Sequence, residues 1–181
     1  DGTNLMGGGS FSAVNGSGRN NLARVDTTTG ANGAWALGTN GPVSEVLVAS
    51  GRLYVAGEYS TLGGVARSNL ASATIATATV DAFAPSVSGP VHALARRSNG
   101  TALFFGGSFA SVDAQARSNL AMVEPTTGAL QPWTAATDAT VRDLDLSQSH
   151  SGLPNNAWLH AVGDFTTAGG ATRLRAAAFD T

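Results

Sequence analysis

The chain has 181 residues, enough for one domain with a sizeable core, and it lacks cysteine, which excludes disulfide bonds and thiol chemistry. Charged residues make up only 12% of the chain and the formal net charge is -2, so the composition argues against nucleic acid as a partner. No apolar run approaches the roughly 20 residues needed to span a bilayer.

Short strands separated by turns are predicted along the whole chain. In chain order the clearest of them are "LMGGGSF", "NLARVD", "VSEVLV", "LYVAGEY", "VHALAR", "LFFGGSF" and "NLAMVE". Turn-forming segments such as "TTTGANG" and "PTTGALQP" separate them, and no long window shows the 3.6-residue period of a helix. The pattern therefore predicts an all-β fold.

The strands recur with a period of about 50 residues, which is typical of propellers and other repeat arrays. Each repeat begins its motif with a glycine, which we call the origin glycine: Gly9, Gly57, Gly107 and Gly163. An aromatic residue follows two positions later, at Phe11, Tyr59, Phe109 and Phe165. An arginine follows ten positions after the glycine, at Arg19, Arg67, Arg117 and Arg173. A second bulky aromatic completes the motif in the first three repeats, at Trp35, Phe83 and Trp133.

These positions divide the chain into four copies, residues 1–42, 43–90, 91–140 and 141–181. Three clear strands and a short fourth strand per copy match the content of one propeller blade. We therefore predict a single β-propeller segment over residues 1–181, with roughly three and a half four-stranded blades. Because the last copy stops inside a turn and the first lacks a leading valine strand, we expect further blades from the same or another polypeptide to complete the propeller.

The repeated residues are predicted to hold the fold together. A blade cannot bury both faces alone, so the aromatics are expected to pack between blades. The glycines are expected to allow strand kinks or a close backbone approach. Each repeated arginine is expected to cap carbonyl groups or to pair with an acid such as Asp26 or Glu124, although a guanidinium can also clamp a ligand's carboxylate or phosphate.

The segment "GGSFASVDAQARSNLAMVEPTTGALQPW" resembles the bacterial secreted repeats called delta-sixty β-propeller repeats. The resemblance covers nearly the whole chain and implies a propeller within a large exported or cell-surface polypeptide. It brings no shared catalytic residues. The resemblance therefore implies an extracellular or bacterial cell-surface location. All ten positively charged side chains are arginines, a bias typical of GC-rich genomes that indicates a bacterial source.

Length variation between copies is confined to one loop, and it is greatest in the fourth copy. There the insertion from Ser147 to Asn156 is predicted to be an exposed ligand-contacting loop, with Ser147, His150, Asn155 and Asn156 as candidate contacts. Asp143 and Asp145 lie just before this insertion and alternate with leucines in "DLDL", so both are expected on one strand face, where their carboxylates could bind a calcium ion. No other cofactor is expected.

Three functional hypotheses follow from these features. The first is a non-enzymatic scaffold or adhesive module that binds a protein or a glycan. The second is a propeller hydrolase or lyase that uses an acid pair drawn from Asp143, Asp145 and Asp164. The third is a spacer domain that only holds other domains apart.

Overall fold

The computed structural model describes residues 3–147 and 158–181, and every regular element in these ranges is a β-strand. This confirms the all-β, propeller-type fold. The described residues contain no helix with the length and hydrophobicity needed to cross a bilayer. The backbone forms two compact units: Asp1–Ala84 holds the first copy and most of the second, and Pro85–Thr181 holds the end of the second copy and the last two copies. The interpretation of the chain as one propeller segment stays a prediction.

The first unit contains two antiparallel sheets and two small hairpins. Its strands are β1 (Asn4–Gly8), β2 (Ala13–Val14), β3 (Ser17–Gly18), β4 (Leu22–Asp26), β5 (Val43–Ala49), β6 (Arg52–Gly57), β7 (Thr61–Leu62), β8 (Val65–Ala66), β9 (Leu70–Thr74) and β10 (Thr79–Val80). In the first copy β1 pairs with β4, and in the second copy the strand order is β10-β9-β6-β5. Strand β1 packs against β5, so the two sheets are neighbours within this unit.

The second unit repeats this arrangement. Its strands are β11 (Val91–Arg96), β12 (Leu103–Gly107), β13 (Ser111–Val112), β14 (Gln115–Ala116), β15 (Leu120–Val123), β16 (Val141–Ser147), β17 (Trp158–Gly163), β18 (Thr167–Ala168), β19 (Ala171–Thr172) and β20 (Ala176–Asp180). The sheets have the orders β11-β12-β15 and β16-β17-β20. Among the described residues the predicted fourth strand forms only in the second copy, as β10, and it is reduced to the isolated bridges Val25↔Asn32 in the first copy and Val123↔Leu130 in the third.

A two-residue hairpin follows the first aromatic in every copy and was not anticipated as a strand pair. Its two central residues have positive φ in each case, as a type I′ turn requires. Gly63 and Gly64 suit this conformation, yet Asp113 and Ala114 adopt it as well, with φ of 50° and 62°. The turn is therefore kept where its glycines are lost, at the steric cost of placing an alanine in the left-handed region.

Close backbone contacts explain the origin glycines of the second, third and fourth copies, whereas a Cβ atom at Gly9 would meet only the Phe11 side chain, at 3.2 Å. A Cβ atom added at Gly57 would overlap the carbonyl oxygen of Pro42, and one at Gly107 would overlap that of Pro90. The same overlap with Thr140 would arise at Gly163. Strands β5, β11 and β16 each carry a register shift just after their first residue, so this repeated bulge lies beside the glycine.

Each unit has a core that forms between its two copies. In the first unit, Leu22, Trp35 and Leu37 of the first copy pack with Val43, Leu53 and Tyr59 of the second copy. In the second unit, the core joins residues of the third and fourth copies, including Ala93, Phe104, Leu120, Val141, Leu159 and Phe165. A blade thus buries one face only by meeting its neighbour.

Candidate functional site

The repeated arginines bind backbone carbonyl groups inside their own copies. Nη2 of Arg19 donates to the carbonyl of Gly33 at 2.9 Å, and Nη2 of Arg67 donates to that of Asp81 at 2.9 Å. Arg117 makes the same bond to Gln131 at 3.3 Å. Nη1 of all four arginines also donates to the carbonyl of the preceding residue. Each guanidinium in the first three copies therefore ties the small hairpin to the segment before the second aromatic.

Of the two structural roles expected for the repeated arginines, the structure shows the capping of carbonyl groups, and Asp26 and Glu124 have another role. Oδ1 of Asp26 accepts hydrogen bonds from the backbone N–H groups of Thr28 and Thr29 and from the Thr29 hydroxyl, and these bonds lower the pKa of Asp26. Burial alone would raise the pKa of Glu124, but hydrogen bonds from Thr127 and Thr126 outweigh it and lower the pKa to about 2. Both acids stabilise turns.

Most of the repeated aromatics are buried: Tyr59, Phe109, Phe165, Trp35 and Phe83. Phe11 and Trp133 are only half-buried. Trp133 nevertheless joins two copies, because its ring meets Phe104 edge-on at 5.2 Å and Phe179 edge-on at 6.0 Å. Its indole N–H donates to the carbonyl of Asp180 at 3.0 Å.

A polar clamp between copies was missed by the sequence reasoning. Oδ1 of Asn40 in the first copy accepts from the backbone N–H groups of Ser60 and Thr61 in the second copy, each at 2.9 Å. Asp138 binds the equivalent N–H groups of Thr166 and Thr167 at 2.8 Å, and its Oδ2 accepts the Thr166 hydroxyl. The Thr166 hydroxyl and the Thr167 N–H lower the pKa of Asp138 to about 2.

Of the metal and ligand residues predicted in the fourth copy, the structure describes Asp143, Asp145 and Ser147. Asp143 and Asp145 are both exposed on the same side of β16, as the alternation predicts, and Ser147 ends that strand. Within the described ranges, no group of three or more histidine, aspartate or glutamate side chains is placed to hold a metal ion. His150, Asn155 and Asn156 lie outside the described residues, so the insertion stays a prediction.

The third acid considered for catalysis, Asp164, is held by an arginine. Nε and Nη2 of Arg142 donate to the Asp164 carboxylate at distances of 2.6–3.0 Å, in an exposed bidentate pair. The hydrogen bond from Arg142 lowers the pKa of Asp164. Asp164 is therefore engaged in an ion pair with Arg142, the residue at the bulge of β16.

A cleft of about 550 Å³ lies in the first unit, between the first copy and the turn at residues 76–78 of the second copy. We call it the first-copy cleft. Its polar walls come from Asn4, Arg24, Asp26 and Thr29, and its other walls include Gly33 and Trp35. The indole nitrogen of Trp35 is buried and has no hydrogen-bond partner among the described residues, unlike that of Trp133.

The second copy fills the equivalent place with its own side chains. Asp81 occupies the repeat position of Gly33, and its Oδ2 accepts from Nη1 of Arg52 at 3.0 Å and from the Ser72 hydroxyl at 2.8 Å. Its Oδ1 accepts the Thr74 hydroxyl at 2.8 Å. Arg52, Ser72 and Thr74 occupy the repeat positions of Asn4, Arg24 and Asp26. The first-copy cleft therefore marks the place where the second copy has a self-satisfied polar network.

Comparison with known proteins gives a short match. A family model described as a beta-propeller domain of unknown function, DUF5122, matches residues 5–30, which run from β1 through the turn after β4. No curated protein matches the chain. The match supports a propeller-type repeat and assigns no activity to it.

Proposed function

We propose that the protein is a non-enzymatic binding module of a secreted or bacterial surface protein. In this proposal the repeated residues form the scaffold, and residues that differ between copies bind the ligand. The arginine, glycine and aromatic sets support the first part, because their contacts lie within the fold. The first-copy cleft supports the second part, because its lining is peculiar to one copy.

The chemistry of the cleft favours a polyhydroxylated ligand such as a glycan. A guanidinium, a carboxylate, an amide and a hydroxyl line it, so donors and acceptors are mixed and neither charge dominates. Sugar hydroxyls both donate and accept hydrogen bonds and match such a lining. Asp26 stays ionised because hydrogen bonds lower its pKa, and these bonds involve Oδ1, so Oδ2 is available as an acceptor. The volume lies within the roughly 300–1,000 Å³ of ordinary ligand pockets.

The observation that carries the proposal is that the first copy has Gly33 at the repeat position where the second copy has Asp81. The two copies align here residue by residue, yet in one of them a carboxylate fills the space and accepts hydrogen bonds from the polar groups around it. In the other copy the missing side chain leaves a polar cleft. Among the described residues the buried indole N–H of Trp35 in this lining has no partner, so the open space is suited to a ligand with polar groups of its own.

The variant Gly33→Asp tests the proposal by filling the cleft as the second copy does. A Cβ atom at Gly33 meets only the backbone nitrogen of Trp35, at 4.0 Å, so a side chain can begin there without a backbone clash. Gly18→Asp is the matched control, since it adds the same charge in the same copy at an open position outside the cleft.

Binding is measured on an array of neutral and acidic oligosaccharides and then by calorimetry with the best-binding oligosaccharide. We expect the parent chain and Gly18→Asp to bind and Gly33→Asp to lose binding at least tenfold, the effect of roughly 1.4 kcal/mol. Equal affinity of the two variants, or an array on which the parent chain binds nothing, would contradict the proposal.

A further inference from the structure

The sheet face that each copy presents to the next copy, which we call its trailing face, is apolar where a neighbour covers it. In the third copy, Ala93 and Ala95 of β11 are paired with Gly106 and Phe104 of β12 on this face. Ala93, Ala95 and Phe104 are at most 5% exposed, and they belong to the core shared with the fourth copy. Docking between copies thus depends on small and aromatic residues at these positions.

The residue immediately before the origin glycine controls how closely the next copy can approach. We call it the junction residue; it is Gly8, Ala56, Gly106 and Val162 in the four copies. A Cβ atom at Gly8 would overlap the Val43 side chain of the second copy, and one at Gly106 would overlap that of Val141 in the fourth copy. The first valine of the incoming copy therefore occupies the room that the glycine leaves.

The fourth copy breaks this design at several positions of its trailing face together. Its junction residue is a valine, Val162. Asp143, Asp145 and His160 occupy the positions of Ala93, Ala95 and Phe104. The second copy carries one acid at the Asp143 position, Glu45, but it keeps a small junction residue and a buried Tyr54 where the fourth copy has His160.

We propose that the fourth copy is a capping blade, whose trailing face does not seat a further blade of this repeat. A valine side chain at position 162 blocks the site that an incoming valine would need, and two carboxylates would lose their hydration without a partner. Terminal repeats of arrays characteristically carry a polar outer face, because they have no neighbour to cover it. A repeat blade that completes the propeller must therefore dock elsewhere or in another manner.

Two single variants test the steric part of the proposal. Gly106→Val places the valine of the fourth copy into a junction that is in use, and we expect it to lower the urea midpoint of the second unit clearly. Val162→Ala removes most of the same side chain from the trailing face of the fourth copy, and we expect the urea midpoint to stay close to that of the parent chain. Equal effects of the two variants would overturn the proposal.

A quadruple variant tests the capping role itself. Asp143→Ala, Asp145→Ala, His160→Phe and Val162→Gly together give the fourth copy the trailing face of the third copy. We expect this chain to associate as its concentration rises in sedimentation equilibrium, while the parent chain does not associate through this face. Amide exchange across residues 158–162 of the parent chain should be the same in dilute and concentrated solution.

A quadruple variant that stays folded and monomeric would overturn the proposal. Slower exchange at residues 158–162 of the concentrated parent chain would overturn it as well, because that protection means that a partner already covers the face. If the quadruple variant does not fold, the two single variants and the exchange of the parent chain still decide the question.

Discussion

Replacing Trp133 by alanine should weaken the second unit, because this side chain joins the third copy to the fourth. The ring makes edge-on contacts with Phe104 and Phe179, and the indole N–H binds the Asp180 carbonyl. Each aromatic pair contributes about 0.5–1.5 kcal/mol beyond burial and the hydrogen bond about as much. Trp133 is only half-buried, so the loss should fall below that of a fully buried tryptophan, at roughly 2–4 kcal/mol.

The assay is urea unfolding followed by far-ultraviolet circular dichroism, which does not depend on the deleted fluorophore. Trp158→Ala is the matched control, because Trp158 is 49% exposed and should cost less than about 1 kcal/mol. Trp133→Phe keeps a ring and loses the hydrogen bond, so its loss should lie between the two. If Trp133→Ala and Trp158→Ala shift the midpoint equally, the claim that Trp133 fastens two copies together is wrong.

Three other substitutions test the remaining contacts. Asp138→Asn should preserve the clamp, because Asn40 makes the same bonds in the first copy. The lowered pKa of Asp138 stabilises the fold above about pH 4, and this contribution disappears as the pH falls through about 2. The variant should therefore lose less stability in acid than the parent chain, which acid titration of both chains would reveal. Asp81→Ala should lower the free energy of unfolding in urea by roughly 2–4 kcal/mol, because it leaves polar groups without a hydrogen-bond partner, including the fully buried Ser72. Asp145→Ala, at an exposed position, is the control and should be nearly neutral. Arg117→Ala should lower stability by about 1–2 kcal/mol and leave oligosaccharide affinity unchanged; lost affinity with unchanged stability would make the arginine a ligand contact.

The architecture was predictable because its signals are local and repeated. Glycine at position 57 or 107 reports a close backbone approach wherever it recurs, and the alternation of Asp143 and Asp145 is enough to place them on one face. The hairpin turn at Asp113 and Ala114 was harder to predict, because tertiary structure imposes on Ala114 a conformation that alanine disfavours.

The clamp and the cleft could not be predicted for two different physical reasons. Asn40 and Asp138 differ in residue type, and what they share is an oxygen that accepts two backbone N–H groups, so residue identity hides the repeat. The first-copy cleft depends on a side chain that is missing at Gly33, and its importance appears only when the space is compared with the one that Asp81 fills.

The central claim, that ligand binding occurs in the first-copy cleft, can be tested most directly by observing the three tryptophan indole N–H groups in a ¹H–¹⁵N spectrum. Trp35 lines the cleft, and Trp133 joins the third and fourth copies. Trp158 lies on the trailing face of the fourth copy and directly follows the insertion in sequence. The variants Trp133→Phe and Trp158→Phe assign the three signals. On titration with the best-binding oligosaccharide, the Trp35 signal should shift in the parent chain and stay fixed in Gly33→Asp. A shift of the Trp158 signal alone would place binding at the fourth copy and contradict the claim.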